Sequence, residues 1–167
     1  MASHLLQLCN YNVWANDRIC SYIKEAGESI ADQEMTSSFP TVRKTLYHLW
    51  DAQEIWYKRL QGESPNTWPS HYFKGTLEES LDAIHQSSID FVRFVEKLSE
   101  NGHLSSVEFK SIDGTSFFNT IEEIVMHVMN HSTYHRGQLI TMLRAAGFTA
   151  VGSTDMIRYY RELVKVK

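Results

Sequence analysis

Long apolar runs are missing from this chain, and no stretch approaches the roughly 20 apolar residues of a membrane span. Proline is scarce, with 3 residues in 167, and glycine numbers only 8. That is too few for a loop-rich all-β fold or a flexible linker. Clusters of lysine or arginine are absent as well, and the net charge is −4. No basic surface for a phosphate backbone is therefore expected, and nucleic acid and membrane are both set aside as partners. Cysteine is limited to Cys9 and Cys20. Both fall on one expected helix, about 16 Å apart along its axis and out of disulfide reach. Two free thiols, and a start without a basic segment leading into an apolar run, set the expectation of a cytoplasmic protein.

What is present is ordinary globular material: 43% hydrophobic and 22% charged residues. Residues 1–167 are expected to form one domain, long enough to bury a core. The most informative stretch is Thr120 to Gly147. Thr120 and Glu123 have capping-box spacing, Glu122 and Glu123 sit in the first turn, and Arg144 sits in the last, as the helix dipole favours. Gly147 is a natural left-handed stop. Along this helix His127, His131 and His135 recur every fourth residue. Four residues advance about 400°, so the three imidazoles share a face. His131 and His135 fall inside the apolar stripe of Ile124, Val128, Leu139 and Met142, with His127 at its edge. Burying an unpartnered imidazole is costly, so the row needs hydrogen bonds or a metal ion.

Three further long helices are expected. Ser3 to about Ala26 carries Leu5, Cys9, Ile19 and Ile23 on a broad apolar face, with Gly27 as its stop. Asn12 and Asn16 are unusual in a helix interior; propensity favours solvated asparagines beside core aromatics Tyr11 and Trp14, over polar atoms turned inward. Thr41 launches a second helix through Leu46, Leu49 and Trp56 to Gly62, with His48 at the margin of its stripe. On its own His48 reads as a structural histidine. Gln61 to Gly75 is an aromatic-rich loop of a length that often covers a pocket, with His71 exposed. Thr76 and Glu79 cap a third helix running to about Asn101, with His85 at its rim. Leu104 to Phe118 alternates and turns at Asp113-Gly114, predicting a short hairpin before the histidine helix. Thr154 to about Val164 is a short last helix. The fold class expected is all-α, a four-helix bundle.

Two histidines four apart can hold one ion, although that spacing alone is common. Ser132 follows His131, so the HExxH protease pattern and its glutamate base are absent. A third ligand must come from another helix, and His48 is the best-placed candidate. Three imidazoles suit zinc, nickel, copper or iron and leave a coordination position open, as reactive sites do. A cation there can acidify water or hold a thiolate. His127, one turn away, is better placed to hydrogen-bond near the ion or to act as acid or base than to ligate it. The bland alternative is that the three histidines satisfy one another and nearby hydroxyls.

The run from His127 to Gln138, HVMNHSTYHRGQ, resembles the signature of the DinB/YfiT-like family, whose members are regarded as metalloenzymes. Tyr11 to Asn16, YNVWAN, and Leu46 to Ala52, LYHLWDA, extend the resemblance across nearly the whole chain in the family's order. The resemblance implies a four-helix bundle, often a homodimer, with a divalent metal (zinc or nickel foremost) on His48, His131 and His135. It also implies a small-molecule substrate and, as one family activity, transfer of a low-molecular-weight thiol such as bacillithiol or mycothiol. Metal-dependent hydrolysis and non-catalytic metal binding in a stress response are the alternatives. No residue reads out which thiol or substrate.

Overall fold

Three of the long helices begin at a threonine, and in each the hydroxyl accepts a backbone N–H three residues on. Thr41 accepts from Lys44, while Thr76 and Thr120 form reciprocal capping boxes with Glu79 and Glu123. The computed structural model describes residues 2–165. Its helices are α1 (Ala2–Ala31), α2 (Val42–Leu60), α3 (Leu77–Glu96), α4 (Ile121–Ala145) and α5 (Met156–Lys165). Between α3 and α4, strands β1 (Ser106–Lys110) and β2 (Ser116–Thr120) pair antiparallel with Phe109 opposite Phe117. Gly114, in the turn, takes φ 89°, a region costly for other residues.

Two helix ends differ from expectation. Gly27 does break the first helix, with φ 80°, but helical turns resume to Ala31. Ala31 is fully buried, and Ile30 packs beside it against the core that includes Val42, so the chain gains by winding on. The third helix stops at Glu96, short of Asn101, because Ser99, Glu100 and Asn101 are exposed and have nothing apolar to bury.

α1 packs against α3 and α4, and α2 against the same two, while α1 and α2 touch little. The order around the bundle is therefore α1, α3, α2, α4, with consecutive helices α1 and α2 on one diagonal. Two apolar clusters fill it. Ile19, Ile23, Leu46, Leu49, Ile84 and Leu139 are in one; Leu5, Phe91, Val95, Ile124 and Val128 are in the other. The free thiols Cys9 and Cys20 lie in different clusters. Chain positions between the clusters carry a buried polar layer: Asn12 and Asn16 on α1, Gln53 on α2, Ser87 and Ser88 on α3, Arg136 on α4. Asn12 and Asn16 are each 1% exposed, so the expectation of solvated asparagines is wrong. Their amides find partners inside, which offsets the helix-propensity cost. α5 closes one side, where Tyr159 packs on Tyr11 and Trp14 and the Tyr11 hydroxyl donates to the Thr154 carbonyl at 2.8 Å.

Candidate metal centre

His48 and His131 are 83 positions apart in sequence, yet their Nε2 atoms stand 3.1 Å from one another. His135 completes the group, its ring centroid 4.6 Å from that of His48 and 4.3 Å from that of His131. One ring nitrogen from each residue lies within 4.8 Å of the others. The i, i+4 spacing on α4 places two rings on the face turned to α2, and the α2–α4 contact brings the third.

The donors fit a divalent cation. Two nitrogens at ~2.0–2.1 Å from one tetrahedral ion stand roughly 3.3 Å apart, close to the observed separation. The His135 Nδ1 proton is donated to Gln138 Oε1 at 2.7 Å. An amide oxygen can only accept, so Nδ1 carries the proton and Nε2 keeps a bare lone pair. The Gln138 amide is itself oriented by Nε2 bonds to Ser38 Oγ (3.3 Å) and Tyr134 Oη (3.2 Å). Among the described residues the buried Nδ1 of His131 has no partner.

Charge reinforces the fit. Burial, and then the nearby His135, push His48 down to about 4. Burial and the three neighbouring imidazoles push His131 down to about 3. Burial lowers His135 too, against the opposing pull of its Gln138 bond. All three are neutral at pH 7, the form that donates to a metal.

Aromatic side chains frame the site. Phe39, just before α2, stacks on the His48 ring at 4.3 Å, and Tyr134 meets His135 edge-on at 5.0 Å. Trp68, from the α2–α3 loop, stands 6.4 Å from His48. That loop is pinned by Asp51, whose two oxygens accept from Ser70 N at 2.8 Å and Ser70 Oγ at 2.6 Å. Between loop and helix a cleft of about 370 Å³ opens onto His48, walled by Phe39, Tyr47 and Trp68, with His71 exposed at its rim. A larger cleft of about 550 Å³ lies beyond Tyr134 and Gln138, lined by Met35, Thr141 and Met142, and includes none of the three histidines.

His127 is not in the group. Its ring centroid is 5.9 Å from that of His131, and it meets Trp56 edge-on at 5.1 Å. The residue is exposed on its outer side, yet contact with Trp56 desolvates the ring, and with Arg59 nearby its pKa falls below the ordinary value. His85 is exposed at the rim, 2.7 Å from Asp17. Phe39, Gln138 and Asp51 join the site without a role that their sequence positions had announced. Gln138 carried the one available signal, a polar residue three positions after a buried histidine.

Comparison with known proteins agrees with this architecture. The sequence model described as "DinB family" matches residues 1–162. Protein DinB of Bacillus subtilis (strain 168) is 29% identical over 157 residues, covering 90% of each chain. A DinB-like protein from Bacillus cereus ATCC 10987 superposes with a TM-score of 0.70 at 17% identity, covering 89% of this chain and 95% of that one. YfiT of Bacillus subtilis, described as a probable metal-dependent hydrolase with an unusual four-helix bundle topology, has a TM-score of 0.61 at 17% identity. It covers 83% of this chain and 87% of its own. At such identities the structural likenesses establish the fold alone.

Proposed function

Because the chain belongs to the DinB family, we propose that it is a metal-dependent enzyme acting on a small molecule, its cation held by His48, His131 and His135. The reaction we favour is transfer of a small thiol to an electrophile. The observation that carries the reading is the convergence of three neutral imidazoles from α2 and α4 beside a cleft. When bound, a divalent ion of the zinc or nickel type supplies a Lewis acid that lowers the pKa of a thiol or of water.

The chain's own residues do the rest. Gln138 holds the proton on His135 Nδ1 and so fixes its tautomer. Phe39 covers one face of the His48 ring and keeps water from it. Phe39, Tyr47 and Trp68 offer apolar walls to the body of a substrate. The carboxylate that borders the cleft, Asp51, has both oxygens engaged by Ser70. To His127, one turn before His131 on α4 and neutral at pH 7, we assign the role of accepting a proton on a ring nitrogen. No thiol of the chain takes part: burial pushes Cys9 up to about 12, and Cys20 is raised as well. The sulfur must arrive with a cosubstrate.

Hydrolysis is the second reading, favoured by the description of YfiT. An assay of metal-loaded protein with an electrophile panel, with and without low-molecular-weight thiols, separates the two. Product formation that requires thiol supports transfer, and turnover without thiol supports hydrolysis. Tight metal binding with no metal-dependent turnover of any pair would leave a binding protein and overturn both. His135→Ala, and likewise His48→Ala, should lose stoichiometric metal by elemental analysis. Equal metal in wild type and His135→Ala would defeat the ligand assignment.

A further inference from the structure

The polar layer at mid-bundle is a hydrogen-bond chain with an enforced direction. Arg136, 1% exposed on α4, can only donate. Its Nη1 donates to Asn12 Oδ1 at 2.5 Å and to Asn16 Oδ1 at 2.8 Å, and its Nη2 to Thr133 Oγ1 at 2.8 Å. With their oxygens so committed, both asparagines must present Nδ2 to the next member. Gln53 Oε1, on α2, accepts from Asn12 at 2.8 Å and from Asn16 at 3.2 Å. Gln53 Nε2 then donates to Ser87 Oγ at 2.7 Å and Ser88 Oγ at 3.1 Å, and both serines donate to the Ile84 carbonyl. The chain starts at a group that cannot accept and ends at one that cannot donate. Every amide orientation between them is thereby fixed.

Its placement matters more than its strength. Arg136 follows the histidine pair on α4, and Gln53 lies one and a half turns beyond His48 on α2. Apolar contacts between those helices are non-directional and tolerate sliding, whereas hydrogen bonds weaken steeply off angle. The layer is also costly to keep: the partners of the Arg136 Nη atoms are all neutral, and its Nε has none among the described residues. Apolar layers of similar volume are often as stabilising as buried charged ones, or more so.

We propose that the Arg136–Asn12/Asn16–Gln53–Ser87/Ser88 chain is a register pin that sets α2 against α4 and so positions His48 opposite His131 and His135. Gln53 is its central positioning residue. The proposal rests on the three-imidazole reading only where metal affinity is its readout.

The test uses Gln53→Met, Asn16→Ala on a different helix, Gln53→Glu as the conservative variant, and Val95→Ala as a buried substitution on α3 outside the chain. Folding of each is followed by circular dichroism. In metal-free protein, the nuclear Overhauser contact between the His48 and His131 rings should be lost in Gln53→Met and Asn16→Ala. It should persist in Gln53→Glu, whose carboxylate still accepts from both asparagines while the serine hydroxyls turn to donate. Cobalt affinity should fall at least tenfold in the first two, with a changed visible spectrum, and stay within threefold of wild type in Gln53→Glu and Val95→Ala. Either of the first two variants, if folded, suffices. Retention of ring contact and cobalt affinity in both would overturn the pin, as would equal losses in Val95→Ala. A wild type that binds no cobalt, yet shows ring contact responding to Gln53→Met, would instead overturn the metal reading and leave the pin standing.

Discussion

His127 shows how an exposed side chain can still be specialised. It stands one turn before His131, its ring desolvated by Trp56 and its charge disfavoured by Arg59. We expect His127→Ala to keep its metal by elemental analysis while turnover falls on the order of 100-fold, the scale of general acid–base catalysis. Loss of the metal would make His127 a ligand; full turnover would remove it from the reaction. Gly137, two residues after His135, offers a stability test. It sits in regular helix and a Cβ there would meet nothing within 4 Å. Gly137→Ala should therefore stabilise by about 1 kcal/mol, raising Tm by about 2–4 °C in a thermal melt. No gain would mean that the backbone or a ligand needs the glycine. The histidines of α4 were legible because helical periodicity is local: the three recur at a spacing that any helix converts into one face. The Phe39 stack on His48 and the Arg136 bond to Asn12, 124 positions away, were not, because no local pattern encodes which side chains meet across a bundle.

At the scale of elements, the starts of α2, α3 and α4 were legible for the same local reason, since a threonine hydroxyl caps the turn that follows it. The Asp113-Gly114 hairpin was legible too, because its turn needs a positive φ at glycine. The α2–α3 loop was legible as a loop only. What holds it, the Asp51–Ser70 pair, joins residues that sequence spacing does not connect. Bonds to a charged acceptor contribute about 1.5–3 kcal/mol, so Asp51→Ala should raise the open population of this loop roughly tenfold or more. Trypsin cleavage after the exposed Lys74 should accelerate by that factor, with Trp68 emission shifting as it leaves His48. An unchanged cleavage rate would show that the loop is held by its aromatic contacts instead.

For the whole molecule, the proposed cation between α2 and α4 would link two helices that otherwise meet through side-chain packing and the polar layer. A ligand that binds only the folded state stabilises it by about 4 kcal/mol at 1,000 times its Kd. For a chain of this size that corresponds to a Tm rise of about 8–16 °C. Chelator-stripped protein should regain this shift on adding zinc, and His135→Ala should not. A shift of equal size in His135→Ala would place the ion elsewhere.

The two cysteines carry a consequence for self-preservation. Under the thiol-transfer reading proposed above, the protein would work in the presence of compounds that alkylate thiolates. With Cys9 and Cys20 packed in separate cores and held protonated, such compounds meet neither cysteine as a thiolate. The folded chain thus keeps both of its thiols from such reagents, and only unfolding would expose them.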